Sequence, residues 1–260
     1  EISRCDWSSD VCSSDLEKLR YCIYPSEGGP MVQTDGDANS MMLFLPPATY
    51  KILVFNYDAK NIDFRNMSRF DEAEAYILQT KATGQASQGI TPLYGFVVDS
   101  LEITPGQDKS GTLVLTPLVR HVTFTVQVDK PEEIKTCKGS LSGVSTSLNL
   151  SKRKVVTEAS TNVEFDMETS DKGVNGDLII LGTALPKEEE QKPVTNQVTI
   201  DFTLSDGSMV SATADLEDKL NEIDTPHVNV TINATVEKSP KFTIRLTNWE
   251  VGPGEETTIE

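Results

Sequence analysis

Residues 119–128 read VRHVTFTVQV, with an apolar side chain at every second position toward the end of the run. Val122, Phe124, Val126 and Val128 share one face; His121, Thr123, Thr125 and Gln127 share the other. Successive side chains of an extended strand point to opposite sides, whereas a helix would scatter the same set around its circumference. The stretch therefore predicts a half-buried strand. The same period returns in residues 227–236 (HVNVTINATV) and 198–204 (VTIDFTL), the latter followed by Asp206-Gly207, a pair suited to a tight hairpin turn. Shorter runs at 19–24, 41–45, 50–57, 93–103, 112–115, 162–167, 178–181 and 241–249 carry strand composition between Pro, Gly and Asn punctuation. Only residues 70–78 (FDEAEAYIL) and 216–222 have helix-friendly composition. About a dozen short strands with so little helix predict an all-β chain of antiparallel β-sandwiches.

A chain of 28.5 kDa has room for two such domains. Thr116-Pro117-Leu118 is the best boundary, giving an N-terminal sandwich over 17–118, a C-terminal one over 119–250, and a flexible tail over 251–260. The first sixteen residues are set apart. Residues 5–16, CDWSSDVCSSDL, match the codon-by-codon translation of a DNA-sequencing adapter at every position. Segments of that origin are excluded from fold reasoning, so residues 1–16 are expected to take no part in packing. Cys5, Trp7 and Cys12 then carry no evolved role, and the N-terminal sandwich is read as truncated at its start. The other cysteines, Cys22 and Cys137, lie in separate apparent strands. Buried free thiols are the expectation, with a disulfide between them as the alternative.

Charge excludes whole classes of partner. Forty acidic residues against 23 basic ones leave a net charge of −17, which argues against nucleic acid because phosphate binding needs a basic footprint. No apolar run reaches the roughly 20 residues of a membrane helix. Catalytic and cofactor motifs are missing as well: there is no Gly-x-Ser-x-Gly, His-Glu-x-x-His, Cys-x-x-Cys or phosphate-cradling glycine loop. Ser151 and Lys154 satisfy Ser-x-x-Lys only formally, in a β-rich loop. Asp35-Gly36-Asp37-Ala38-Asn39 opens like a calcium loop, but Ser40 and Pro46 stand where the turn glycine and closing glutamate belong. His121 and His227, 106 positions apart on polar faces, predict no shared acid–base site. No catalytic, cofactor or metal residue is therefore assigned. Trp249, Tyr57 and Tyr94 are the candidate platforms if the chain binds glycans.

Several stretches taken in order resemble the fimbrillin superfamily of gut anaerobic Gram-negative bacteria, in an uncharacterised branch related to minor-fimbrial anchor subunits. They are Arg20-Tyr21-Cys22-Ile23-Tyr24-Pro25 with Gly28-Gly29, then Leu45-Pro46-Pro47-Ala48-Thr49-Tyr50, then Phe64-Arg65-Asn66-Met67 with residues 70–76. In the second half come Val119-Arg120-His121-Val122, Ser140-Leu141-Ser142-Gly143-Val144, Leu148-Asn149-Leu150-Ser151 and Leu204-Ser205-Asp206-Gly207-Ser208. The resemblance implies two tandem transthyretin-like antiparallel β-sandwich domains. It also implies a non-enzymatic subunit at the cell surface, anchored to the outer membrane through a lipidated N-terminus missing from this sequence. Its partners would be other fimbrial or surface subunits, joined by strand pairing, with surface glycan binding as the alternative. Asp99-Ser100-Leu101 resembles the short O-glycosylation sequence of exported proteins in these bacteria, which makes Ser100 a candidate acceptor.

Overall fold

A computed structural model describes residues 3–9, 16, 18–37, 40–78, 89–156, 159–184, 196–216, 219–222, 225–238 and 242–254. Strands dominate them. The first half holds β1 (Ser3–Ser9), β2 (Lys18–Pro25), β3 (Val32–Asp37), β4 (Ser40–Leu45), β5 (Ala48–Asn56), β6 (Ile62–Arg65), β7 (Glu74–Ile77), β8 (Tyr94–Ile103), β9 (Lys109–Leu113) and β10 (Thr116–Pro117). The second half holds β11 (Arg120–Val128), β12 (Ile134–Ser145), β13 (Ser147–Asn149), β14 (Lys154–Val155), β15 (Ser160–Ser170), β16 (Gly173–Ile180), β17 (Gln197–Leu204), β18 (Met209–Asp215), β19 (His227–Lys238) and β20 (Phe242–Pro253). One helical turn, α1 (Lys219–Glu222), lies within the stretch where helix was expected. The other such stretch is instead a 3-10 turn at Phe70–Glu72 followed by β7.

The strands form four sheets, ordered β4-β1-β9, β10-β8-β5-β2-β3, β14-β13-β7-β6 and β18-β17-β12-β15-β16-β11-β19-β20. The five-stranded sheet is buried on both faces. On one face Tyr21, Ile23, Ile52 and Val54 join Leu43, Leu45 and Leu113 of the three-stranded sheet in a small core. On the other, Cys22, Tyr24, Leu53 and Phe55 join the main core. Alternation is lost there for that reason: a strand covered on both sides has no polar face, so β5 reads ILVF without interruption. The eight-stranded sheet keeps it, since one face packs inward and the other meets water; β15 reads exposed and buried in strict turn from Ser160 to Met167.

Two expectations need correcting. The first is the division into two separately cored sandwiches at residue 118. The four-stranded sheet draws β6 and β7 from the first half and β13 and β14 from the second, with Ser147, Leu148 and Asn149 paired to Tyr76, Ala75 and Glu74. The main core is likewise continuous from Phe55 and Phe70 to Phe124 and Val230. Asn149 ties the halves further, donating from Nδ2 to the Asp71 carbonyl at 2.9 Å. The second correction concerns the first sixteen residues. Ser3–Ser9 form the middle strand of a sheet, antiparallel to β4 and parallel to β9. Ladder bonds run between backbone groups, which every non-proline residue carries, so the pairing does not depend on the origin of the side chains. The tail begins later than expected, too: residues 251–253 belong to β20, paired to β19, and 255–260 lie outside the described residues.

Within the eight-stranded sheet, Phe165 lies over a glycine on each neighbouring strand. A Cβ at Gly139 of β12 would stand 2.2 Å from its ring, and one at Gly176 of β16 would stand 3.0 Å from it. The ring stacks on Phe124 with centroids 4.8 Å apart. Side-chain absence at position 139 therefore seats an aromatic in the core, and filling that space forces the ring to move. The expected cost of Gly139→Ala is about 2 kcal/mol, a fall in Tm of about 5 °C in a chain of this size by calorimetry.

Candidate functional site

The small sheet is the feature with the clearest binding chemistry. Neither β4 nor β9 bonds to the other; each bonds to β1, from Ser3 opposite Leu45 to Ser8 opposite Ser40 on one side, and from Cys5 alongside Lys109 to Ser9 alongside Leu113 on the other. The two outer strands thus bound a slot one strand wide. Its walls are rows of backbone donors and acceptors. Leu43 and Leu45 of β4 and Leu113 of β9, with Leu115, are buried in the small core on which this sheet packs. Such a slot takes an extended chain with apolar residues at alternate positions. The outer surface around it is apolar as well, with Phe44 63% exposed, Val114 55% and Met42 41%.

The candidate aromatic platforms are dispersed. Tyr57 follows β5, packs on the main core, and carries the Arg20 guanidinium 4.2 Å from its ring centroid. Tyr94 packs on the small core, and its backbone N–H donates to Asn56 Oδ1 at 2.7 Å. Trp249 sits on β20 against the main core with Lys219 Nζ 4.5 Å over its ring. Ser100 is exposed on β8 where the register with β5 shifts, between the pairs Tyr50–Leu101 and Ile52–Val98. Asp35 of the calcium-like stretch lies in β3, and its two oxygens accept from Arg20 Nε and Nη2 at 2.8 and 2.9 Å. Ser151 falls on the β13–β14 turn, where its hydroxyl donates to Asn149 Oδ1, and Lys154 opens β14. Residues 187–192, the charged run KEEEQK between Pro186 and Pro193, lie outside the described residues.

The histidines are not apart. β11 and β19 run parallel with His121 directly beside His227, their rings edge to face at 5.6 Å. His121 Nε2 stands 3.1 Å from Asp177 Oδ1, which also accepts from the Thr123 hydroxyl at 2.8 Å. Spacing along the chain could not reveal this, because parallel pairing joins residues with a long crossover between them. Among the described residues no group of three or more His, Cys, Asp or Glu side chains is placed to hold a metal ion. Cys22 and Cys137 are both buried and free, and burial pushes each thiol up to about 11.

A family model described as a domain of unknown function, DUF5119, matches residues 4–166, well over half of the chain. The chain belongs to the DUF5119 family. This DUF5119 protein is 26% identical over 180 residues, 65% of its length, to a candidate fimbrium anchoring subunit of Bacteroides ovatus, Fim4B, and spans about half, 52%, of that relative. Its fold is shared with a candidate adhesin from Bacteroides ovatus at a TM-score of 0.68 and 20% identity, covering 95% of this chain and 93% of that one. It is shared also with the fimbrial anchor protein Mfa2 from Porphyromonas gingivalis, at a TM-score of 0.65 and 11% identity over 98% of both chains. The fimbrillin-related branch read from the sequence is thus the one to which the family relatives point.

In the five-stranded sheet, the Arg20–Asp35 pair fastens the edge strand β3 to β2. The Arg20 guanidinium holds the Asp35 carboxyl below the usual carboxylate range by hydrogen bonding. A carboxylate stabilised in the folded state contributes above its unfolded pKa near 4 and loses that contribution as pH falls through the lower folded value. The pair is partly exposed, so its worth is at most about 1 kcal/mol. Asp35→Asn is expected to lower stability by up to that amount at pH 7, with the gap to the unchanged protein closing as pH is brought toward 2 in urea titrations.

Proposed function

We propose that this DUF5119 protein is a non-enzymatic subunit of a cell-surface fimbrial or adhesin assembly, joined to its neighbours by strand pairing. The slot between β4 and β9, filled here by β1, carries this reading: its two backbone rows and the small core beside it fit an extended segment, which a neighbouring subunit would supply in place of β1. The relatives' names support it, since one is described as a fimbrium anchoring subunit and another as a fimbrial anchor protein. Anchoring to the outer membrane through an N-terminal lipid is the finer form of the proposal, in keeping with the anchoring role in both relatives' names. A tandem transthyretin-like arrangement of β-sandwich domains belongs to the same finer form. Strong negative charge keeps such a subunit soluble before assembly. Exposure of Ser100 at the β8 irregularity suits a glycan acceptor; mass spectrometry of protein from the native host is expected to show the peptide across Ser100 carrying a glycan, and an unmodified peptide overturns that assignment.

Deleting residues 1–16 tests the slot. The shortened chain should lose several degrees of Tm, because two ladders of hydrogen bonds go with β1. A ten-residue peptide alternating valine and threonine should bind it and recover much of that loss, while leaving the intact chain unaffected. A shortened chain of unchanged Tm that ignores the peptide in native mass spectrometry would contradict the proposal.

A further inference from the structure

A second recess lies away from the slot, where the two halves of the chain meet. Its volume is about 840 Å³, and its walls come from the 116–120 crossover, the β13–β14 hairpin, residues 181–183 and Thr225-Pro226. The chain carries 40 acidic residues, yet among the described residues no aspartate or glutamate lines this cleft, while Arg120, Arg153 and Lys154 do. Arg120 already donates to the Leu220 carbonyl. Arg153 and Lys154 are exposed and make no ion pair among the described residues. Two cations with no ion-pair partner among the described residues thus face a recess on a chain of charge −17. At physiological salt the screening length is about 8 Å, so a local basic patch acts on a ligand largely free of the distant acids.

The hairpin that carries them is fixed in advance. Asn149, 8% exposed, accepts from the Lys152 N–H at 2.8 Å and the Ser151 hydroxyl at 3.0 Å, and donates across to Asp71. Leu150 N–H donates to the Ala73 carbonyl at 2.8 Å. Arg153 sits at φ +53°, a left-handed backbone that arginine rarely adopts, at the corner leading into β14. At Gly182 a Cβ would stand 2.6 Å from Val155 Cγ1, so the glycine lets the β14 side chain close against the opposite wall.

We propose that this cleft binds an acidic, extended peptide segment of a partner protein. Three features favour a peptide over an acidic sugar. The apolar wall is aliphatic, including Leu118, Leu148, Val155 and Leu181, and among the described residues contains no aromatic ring of the kind sugars stack upon. Two sheets end at the cleft, the five-stranded one at β10 and the four-stranded one at β14, and an unpaired strand edge offers backbone partners to an extended chain. Charge complementarity supplies the third, through side-chain carboxylates placed against Arg153 and Lys154.

The test uses the full chain, whose slot holds β1, so its outcome is independent of the strand-slot reading. An alternating Glu–Val octapeptide is titrated by isothermal calorimetry, with the Lys–Val octapeptide and trigalacturonate as the other arms. The Glu–Val peptide should bind, the Lys–Val peptide should not, and binding should weaken as salt rises. The double variant R153E/K154E should lose at least about tenfold in affinity, a change of about 1.4 kcal/mol. Lys152→Glu, next in the same turn but outside the cleft wall, should stay within about twofold. The proposal is overturned by absence of Glu–Val binding, by an equal loss in Lys152→Glu, or by tighter binding of trigalacturonate than of the peptide.

Discussion

Burial of the five-stranded sheet on both faces is the constraint on which the rest of the molecule depends. β2 and β5 lie adjacent within it, and their side chains leave alternately toward two different cores: Tyr21, Ile52 and Val54 one way, Cys22, Leu53 and Phe55 the other. Each face must then be covered by something. The small core is covered by the three-stranded sheet. The main core lies between the five-stranded sheet, the eight-stranded sheet of the second half and a four-stranded sheet that neither half of the chain supplies alone, since β6-β7 and β13-β14 each bring only two short strands. Two-stranded ribbons are marginal in water; four strands with an apolar face are not. Sharing a sheet is the physical reason that the halves share a core.

The alternating strands were legible because their sheet has one wet face, and water selects the polar residues at every second position. Residues 119–128 and 227–236 announced themselves in this way. The continuous run in β5 was legible as a strand but not as the middle of three layers, for a doubly buried strand carries no mark of what covers it. Residues 70–78 misled through composition. Alanine and glutamate favour helix in isolation, but the pairing of Glu74, Ala75 and Tyr76 with β13 outweighs that weak preference. Nothing local in either three-residue segment names its distant partner. The histidine pair was hidden for the same reason: each residue was visible as the start of a strand, and their register was not.

Of the binding features, side-chain motifs were the least informative and backbone geometry the most. The slot is made of main-chain groups, which leave no trace in a search for catalytic or metal-ligating spacings. The cleft holds residues that stand out in the sequence for other reasons, Thr116-Pro117-Leu118 as a boundary and Lys154 as part of a formal nucleophile motif. Its basic character emerges when Arg120, Arg153 and Lys154 are brought to one recess from segments more than thirty residues apart. In an acidic chain such a gathering is visible in three dimensions alone.

The two core cysteines have a consequence for the life of the chain outside a reducing compartment. With burial holding each thiol near pKa 11, about one in ten thousand is ionised at neutral pH, and the thiolate is the form that attacks disulfides and oxidants. Cys22 belongs to the doubly covered sheet and Cys137 to the eight-stranded one, each closed off by its own packing. Once folded, these two thiols are therefore slow to meet an oxidant or a disulfide. Their place in the core needs no covalent bond between them, so it is the same in reducing and in oxidising surroundings.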